Sequence, residues 1–377
     1  MRIGVNTRLF VKGKMDGIAW FTYEIFKRIV TQHPEHEFVF FFDRAYNPEF
    51  VFAPNVKPVV VHPQARHPLL WFLFFEIGMK KALKKEKIDL FISPDGWACL
   101  GTDVKTINVI HDLNFEHNPL FVPFLIRKYY QYFFPRFAQK ADRLITVSQF
   151  SKKDIVERYH IDEEKISVVY NAASEDFFEV DEQTKKETLQ RLTGGMPYFV
   201  FVGSAHQRKN VTRIMQAFDQ FREKYADFKL VFAGSNKYWD KEIKMTYNRL
   251  KHKQEVVFTG YISTTEMNCA VSSAVAIVYP SLFEGFGIPI VEAFAANVPV
   301  ITSNVTSMPE VAGEAALLVN PLSTNEIANA MEQIATDEQL RAKLIQLGKE
   351  RKQAFSWDQS AQKFWNIIYP LAEANGN

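Results

Sequence analysis

Residues 281–297 of the chain read SLFEGFGIPIVEAFAAN. Pro289 suits the first turn of a helix, because the N–H that proline lacks is one the helix could not pair there. Asn297 suits the helix exit, because asparagine tolerates the left-handed conformation that ends helices. The stretch therefore predicts a glycine loop that leads directly into a short helix over 288–297.

Two carboxylates flank this loop, Glu284 before it and Glu292 within the helix. Helical side chains lean toward the N-terminus, so we expect Glu292 to point back toward the mouth of the loop. The free N–H groups and the positive end of the helix dipole bind phosphate there. A carboxylate beside a phosphate is repelled unless it binds hydroxyl donors, which sugars supply. The grouping predicts a site for a sugar joined to a diphosphate; the alternative is a capped helix with two solvated glutamates.

The composition is that of an ordinary globular protein. The chain has 377 residues, enough for two domains, and is 47% apolar and 23% charged. A net charge of +2 gives no argument for nucleic acid, and no stretch reaches the roughly 18–20 apolar residues of a membrane span. Met1–Val5 enters a strand pattern directly, so we expect no signal peptide. With two cysteines and no Cys/His cluster, we expect a cytoplasmic protein without a metal site.

Short apolar runs alternate with amphipathic stretches along the whole chain, a pattern typical of parallel sheets covered by helices. Strands are predicted at 2–6, 37–42, 57–61, 89–92, 106–110, 143–147 and 166–169, and again at 198–203, 229–233, 255–259, 275–279, 298–302 and 316–319. Helices are predicted at 17–32, 76–86, 122–139, 150–159, 211–226, 241–252, 264–270, 288–297, 325–335 and 338–354. Two such series predict two Rossmann-like domains with a break near 169–173. The polar stretch over 181–195 would then lead into the second domain.

Further segments accompany the glycine loop in a fixed order. They are the apolar run with its glycine turn at 199–204 (FVFVGS), then HQRKN at 206–210, PVITS at 299–303 and MPEV at 308–311. This set resembles the retaining glycosyltransferases of family 4, group 1, which have the α/β GT-B fold of two Rossmann-like domains facing across a cleft. The resemblance extends from Gly17 to Trp357.

The resemblance implies a role for each domain. Residues 1–172 with 356–377 would form the N-terminal, acceptor-side domain, because the tail helix of similar proteins crosses back to it. Residues 173–355 would form the C-terminal domain that binds the nucleotide sugar. Ligands of such sheets bind beyond the C-terminal strand ends.

Arg208 and Lys209 follow the strand at 198–203 and are the best cationic candidates for the diphosphate. Both would stabilise the leaving group selectively as it gains charge; the alternative is a solvated surface pair. By resemblance, Glu292 accepts hydrogen bonds from the ribose and Glu284 binds the transferred sugar. The remaining donor-site candidates are Gly203, Gly285 and the main-chain N–H groups of Phe286, Gly287 and Ile288, where side chains at the glycines would bar the ligand.

Three further positions follow from the resemblance. The nucleobase is expected near 259–262, at Gly260 and Tyr261, with 234–235 close by. His111 matches a histidine that related enzymes place near the reacting sugar, and Asp112 either orients its ring or caps the next turn. Gly17 starts a helix facing the phosphate loop; related proteins often carry two glycines there, and this chain has one.

The mechanism implied is transfer with retention of configuration. No carboxylate nucleophile stands out on the acceptor side, which favours front-face displacement with a leaving phosphate oxygen taking the acceptor proton. Arg208, Lys209 and the helix dipole supply the electrostatic stabilisation, so no cofactor and no metal are expected.

Two aromatic and basic stretches occupy the first half. LLWFLFF at 69–75 precedes five lysines between 80 and 87, and a second stretch runs over 121–140. Such helices either lie on an anionic membrane or pack as core with a solvated lysine face. Because related enzymes bind lipid-linked acceptors in this domain, we predict peripheral contact with the inner face of the cytoplasmic membrane.

The function predicted is transfer of a hexose from a nucleotide sugar to a saccharide or lipid-linked saccharide in surface glycan synthesis. DLNFE at 112–116 is similar to a mannosyltransferase-like subgroup, which makes GDP-mannose the first candidate donor. The alternatives are a sugar-nucleotide epimerase on the same fold and a non-catalytic sugar-nucleotide-binding protein. A dinucleotide dehydrogenase is disfavoured, because GFGIP at 285–289 does not complete Gly-x-Gly-x-x-Gly.

Overall fold

The structure is a computed structural model that describes residues 1–235 and 239–373. The chain divides into two compact units, the first made of Met1–Asn171 with the C-terminal segment from Trp357, the second of Ala172–Ser356. Each unit contains one parallel sheet, so the fold is α/β with two Rossmann-like domains, as the sequence predicted.

The sheet of the first unit has seven strands in the order β3-β2-β1-β4-β5-β6-β7. Their bounds are β1 Arg2–Asn6, β2 Glu37–Phe42, β3 Val56–Val60, β4 Leu90–Ser93, β5 Lys105–Val109, β6 Arg143–Thr146 and β7 Ile166–Val168. In β1, Ile3 pairs in parallel with Phe38 of β2 and with Leu90 of β4. The strand order therefore reverses between β1 and β4.

Helices cover this sheet. They are α1 Gly17–Gln32, α2 Pro68–Leu73, a π-helical turn Phe74–Met79, α3 Lys80–Lys85, α4 Asn114–His117, α5 Phe124–Lys140, α6 Gln149–Tyr159 and the C-terminal α15 Trp357–Glu373. The last of these packs on α1, where Arg28 Nε lies 2.6 Å from Asp358 Oδ1 and Phe26 meets Phe364 edge to face. Return of the tail to the first unit thus rests on an ion pair and on aromatic packing.

The sheet of the second unit has six strands in the order β10-β9-β8-β11-β12-β13. Their bounds are β8 Tyr198–Val202, β9 Lys229–Ala233, β10 Val256–Gly260, β11 Ala276–Tyr279, β12 Val300–Ser303 and β13 Ala316–Val319. The helices are α7 Glu182–Thr193, α8 Val211–Arg222, α9 Lys241–Arg249, α10 Thr264–Ser272, α11 Ile288–Ala295, α12 Met308–Ala312, α13 Thr324–Thr336 and α14 Glu338–Arg351. The order reverses here between β8 and β11.

Every predicted strand is present, with ends within about two residues, a normal uncertainty for element boundaries. Buried parallel strands are near-continuous apolar runs and are easily recognised. The polar stretch over 181–195 does lead into the second sheet, but most of it forms a helix that was not predicted, which Asp181 caps by accepting a hydrogen bond from Thr184 N. The helix predicted at 76–86 begins earlier, at Pro68, and passes through the π-helical turn.

Candidate active site

The glycine loop and helix form as the sequence predicted. Gly287 precedes α11 with φ +94°, and a Cβ placed there would lie 2.6 Å from Met308 Cε. Glycine is therefore favoured by the backbone conformation, and a side chain there would also displace the end of Met308. At the other end Asn297 adopts φ +57°, the left-handed conformation expected of it. Within the described part of the chain, the N–H groups of Gly287 and Ile288 donate no hydrogen bond.

The loop lies at the point where the strand order of the second sheet reverses. It follows β11, and the basic pair Arg208–Lys209 follows the neighbouring strand β8. A hydrogen bond of 2.9 Å from Leu282 N to Arg208 O joins the two connections. Ligands of open parallel sheets bind at such switch points.

Glu284 is the centre of a buried ionic cluster. Its Oε2 lies 2.7 Å from Arg208 Nη1, and its Oε1 lies 3.1 Å from Lys209 Nζ. Tyr279 donates its hydroxyl to Oε1 at 2.8 Å. Burial opposes ionisation, yet the two cations overcome it and lower the pKa of Glu284 to about 2. The sequence assigned Glu284 to sugar and the cations to phosphate; the structure brings all three into direct contact.

Tyr279 is a member of this cluster that the sequence argument missed. It ends β11, is fully buried, and its hydroxyl accepts a hydrogen bond from Lys209 Nζ, which also lies 4.7 Å from the ring centroid. Burial, followed by the charge of Glu284, raises the pKa of Tyr279, so the hydroxyl keeps its proton. An aromatic residue in an apolar strand is usually core; the only signal was its position at the carboxyl end of a central strand.

Glu292 differs sharply from Glu284. It is half-buried, and among the described residues its carboxylate forms neither a hydrogen bond nor an ion pair. Burial raises its pKa to about 7, an effect that the charge of Lys209 only partly offsets. A carboxylate removed from water without a partner is costly, so Glu292 offers hydrogen-bond acceptors that the protein itself leaves unused.

The candidate nucleobase region is formed by glycines at the carboxyl ends of β8, β9 and β10. Gly203, Gly234 and Gly260 have φ of +124°, +139° and +68°. A Cβ on Gly234 would lie 2.4 Å from Gly203 O, so these two backbones touch. Tyr261 follows Gly260 and is 79% exposed. Residues 236–238, which follow the expected contact at 234–235, lie outside the described residues.

In the first unit, His111 follows β5 and hydrogen-bonds the neighbouring connection after β4. Because a carbonyl can only accept, its Nε2 donates to Pro94 O at 2.9 Å. Burial lowers the pKa of His111, which favours the neutral ring with an unprotonated Nδ1. Asp112 accepts a hydrogen bond from Asn114 N, the turn cap that was one of its two expected roles. Gly17 is the first residue of α1, after the capping Asp16.

The described residues offer neither a metal site nor a membrane span. They contain no group of three or more His, Cys, Asp or Glu side chains placed to hold a metal ion. None of their helices has the length and apolar character to cross a bilayer.

The chain was compared with known proteins. Residues 182–351 match the family of glycosyl transferases group 1, and residues 15–177 match glycosyltransferase family 4. The O-antigen chain mannosyltransferase B of Escherichia coli is 27% identical over 67% of this chain and 67% of that protein. The O-antigen chain mannosyltransferase RfbU of Salmonella typhimurium is 28% identical over 75% and 76%.

The fold was compared separately with solved structures. Anabaena HepE in complex with UDP-glucose superposes with a TM-score of 0.74 and 16% identity, over 98% of this chain and all (100%) of that one. The chain therefore belongs to the retaining glycosyltransferases of family 4, group 1, and has their GT-B fold.

Proposed function

We propose that the enzyme transfers a hexose from a nucleoside-diphosphate sugar to a saccharide or lipid-linked saccharide acceptor of a surface glycan. The contrast between the two glutamates carries this proposal: Glu284 is ion-paired to both cations, whereas Glu292 is unpaired beside the free N–H groups of Gly287 and Ile288. N–H groups that can donate hydrogen bonds to a phosphate thus lie next to a carboxylate that can accept hydrogen bonds from hydroxyls. The O-antigen mannosyltransferases among the similar proteins support mannose, with GDP-mannose as the first donor to test.

In the proposed complex, the diphosphate lies against the start of α11 and the cations. The helix N-terminus and the side chains of Arg208 and Lys209 stabilise the charge that develops on the leaving group. Glu284 holds both cations in place, and Glu292 accepts hydrogen bonds from the ribose. Gly203, Gly260 and Tyr261 border the base.

The proposed reaction is a front-face displacement. The bond from the anomeric carbon to the diphosphate oxygen breaks, and a bond from the same carbon to the acceptor oxygen forms on the same face. The acceptor proton passes to the leaving phosphate oxygen, so no protein base is consumed. His111 lies near the reacting centre and accepts a hydrogen bond from a sugar hydroxyl.

A panel of nucleotide sugars tests the donor. We expect GDP-mannose to raise the melting temperature more than UDP-glucose or dTDP-glucose, since a ligand of the native state stabilises it. Incubation with donor alone is the control, because an epimerase would change the sugar without an acceptor. No stabilisation by any nucleotide sugar would refute the proposed function, and loss of transfer in EDTA would refute its metal-free form.

We also place the enzyme at the inner face of the cytoplasmic membrane, on the basis of an exposed apolar surface of the first unit. The two aromatic stretches contain both buried and exposed side chains. Phe74, Phe75 and Phe137 are buried in the core. On the outer side several apolar side chains are 40–88% exposed, namely Leu69, Phe72, Leu120, Phe124 and Leu125. The helices α2 and α5 that carry most of them meet through the rings of Phe72 and Phe133, 6.2 Å apart.

Cations adjoin this surface, which favours an anionic bilayer. Lys128 lies exposed on α5, and Lys80, Lys81 and Lys84 lie exposed on and around α3. Co-sedimentation with phosphatidylglycerol vesicles at low salt tests the location. We expect Leu120→Glu with Leu125→Glu to abolish binding. Leu322→Glu, at an exposed leucine of the second unit, is expected to leave binding unchanged. Failure of the unaltered enzyme to sediment would refute the location.

A further inference from the structure

A second buried ion pair lies at the switch point of the first sheet. Arg8, just after β1, holds Asp95, just after β4, with Nε 2.6 Å from Oδ2. The two side chains are only 7% and 2% exposed. Asp95 is fully engaged, because its Oδ1 also accepts from Asn6 Nδ2 at 3.0 Å and from Ser93 Oγ at 3.3 Å.

Arg8, in contrast, uses one donor of the five it has. Within the described residues, its Nη1 and Nη2 reach no acceptor. The guanidinium lies between two rings, 4.3 Å from the centroid of Trp97 and 5.8 Å from that of Phe75. A side chain more than nine-tenths buried rarely leaves so many donors unsatisfied unless a water or a ligand completes them.

The surroundings of Arg8 add further unused polar groups of both kinds. The indole Nε1 of Trp97 is buried without a partner. Tyr130, whose ring meets that of Trp97 edge to face at 5.4 Å, makes no hydrogen bond through its hydroxyl to any described residue. His111 is tied to Pro94 through Nε2, which leaves Nδ1 as an acceptor on the same connection.

This mixture decides the chemistry of the ligand. An ionised carboxylate or a phosphodiester only accepts hydrogen bonds, so it would satisfy Arg8 and leave the imidazole Nδ1 unmatched. Asp95 already neutralises the guanidinium, so a second anion would gain little. A hydroxyl group both donates and accepts, and the aromatic rings offer apolar surface to the C–H face of a sugar.

The location agrees with a ligand site. The strand order reverses between β1 and β4, and the crevice beyond the carboxyl ends at such a point is where open parallel sheets bind ligands. The cluster lies on the connections that follow these two strands and β5.

We propose that Arg8, Tyr130 and His111 form a subsite for a neutral hexose unit of the acceptor. Arg8 donates hydrogen bonds to the hydroxyls of the hexose, and His111 Nδ1 accepts one from a hydroxyl. The ring of Trp97 packs against the guanidinium of Arg8. The inference rests on the proposed function, because the proposed function supplies the saccharide acceptor to which this hexose belongs. Asp95 acts through Arg8 as a positioning residue.

A binding experiment tests the subsite without any need for turnover. The full-length protein is labelled with 5-fluorotryptophan, and Trp97→Phe assigns the signal of Trp97. We expect methyl α-D-mannopyranoside to shift that signal and to leave those of Trp20 and Trp365, in α1 and α15, unmoved. Inorganic phosphate at equal ionic strength is not expected to shift it. A panel of neutral methyl hexosides that leaves the signal in place, or a shift by phosphate instead, would overturn the proposal.

Two substitutions give the kinetic test. Arg8→Lys keeps a cation for Asp95 and loses the Nη donors, and Tyr130→Phe removes one oxygen atom. We expect each to raise KM for the acceptor about tenfold, the equivalent of one or two lost hydrogen bonds, with KM for the donor unchanged. Tyr132→Phe, exposed on the same helix, is the matched control. Unchanged acceptor KM in an enzyme that still transfers sugar would refute the subsite and leave the proposed function standing; absence of transfer by the unaltered enzyme would refute the function instead.

Discussion

The carboxyl ends of β8 and β11 in the second unit and those of β1 and β4 in the first occupy equivalent positions in their sheets. Each holds a buried carboxylate paired to an arginine, Glu284 with Arg208 and Asp95 with Arg8. The surroundings differ. In the second unit, Glu284 is followed by a glycine loop and a helix N-terminus, and it also pairs with a second cation, Lys209.

The pair in the first unit has aromatic rings and a neutral histidine instead. Under the two proposals, one topology carries two kinds of site, one with an excess of positive charge for a diphosphate and one that is electrically balanced for hydroxyl groups. The charge around each arginine, rather than the strand order, decides which ligand class fits.

The largest effect is expected for Arg208→Ala. We expect kcat to fall about 10²–10³-fold, because a donor aimed at charge developing in the transition state is worth that much. The melting temperature is expected to change little, because Glu284 keeps Lys209 and Tyr279 as partners. Release of nucleoside diphosphate measures the rate, with exposed Lys241→Ala as the control. A kcat near that of the unaltered enzyme would remove Arg208 from the site.

Removal of the carboxylate compares the two pairs in stability. Asp95→Asn leaves Arg8 almost wholly buried without a counterion, and breaking such a pair costs about 3–5 kcal/mol. Glu284→Gln is expected to cost less, because Arg208 and Lys209 are 25% and 17% exposed and remain partly hydrated. Thermal unfolding of the two variants side by side measures the difference. If Glu284→Gln destabilised the protein more than Asp95→Asn, the view that the cluster around Glu284 is open to a ligand would be contradicted.

Glu292→Gln is expected to weaken donor binding about tenfold while leaving folding intact, since the carboxylate has no partner to lose. Its pKa of about 7 lies above the unfolded value, so protonation stabilises the native state at low pH. That contribution is complete below the unfolded pKa and is lost as pH rises through about 7. Donor affinity should follow the opposite course and strengthen as the carboxylate ionises.

Calorimetric measurement of donor affinity at several pH values between 5 and 8 tests whether ionisation of Glu292 strengthens donor binding. The unaltered enzyme is expected to gain affinity over this interval, and Glu292→Gln is expected to show a flat profile. Parallel profiles for the two proteins would contradict a role for the ionised carboxylate.

How far the sequence predicted this molecule depends on the range of the interactions. The strands, and the helix from Ile288 to the left-handed Asn297, follow from local pattern and backbone preference. The helix over Glu182–Thr193 was missed because its sequence is mostly polar and only Thr188 and Thr193 in it are buried. The available signals were its two ends, the N-cap Asp181 and the left-handed Gly194.

The site was only half predictable for the same reason. Arg208, Lys209 and Glu284 could be named from local motifs, but their contact joins residues 76 positions apart and needs the sheet. The pair between Arg8 and Asp95 spans 87 positions and has no motif at all. Both proposals rest on hydrogen-bond donors and acceptors that have no partner in the folded chain. Such groups can be recognised only once the fold shows which partners each polar group has.

The smallest effect is expected for Tyr279→Phe, which keeps the ring beside Lys209 and removes the hydrogen bond to Glu284. Loss of one such bond should lower kcat about three- to tenfold. Because that bond lowers the pKa of Glu284, its removal should also shift the acid limb of the pH–rate profile upward. Tyr225→Phe is the matched control, since its hydroxyl also donates to a glutamate, Glu332, at the surface of the same unit.

Asp95 is held by small polar groups, Asn6 and Ser93, where Glu284 is held by a tyrosine that also contacts the cation. If Tyr279 serves only to pack the core, kcat and the acid limb will be unchanged and only the melting temperature will move. If it fixes Lys209 and Glu284 relative to each other, both kinetic quantities will change together.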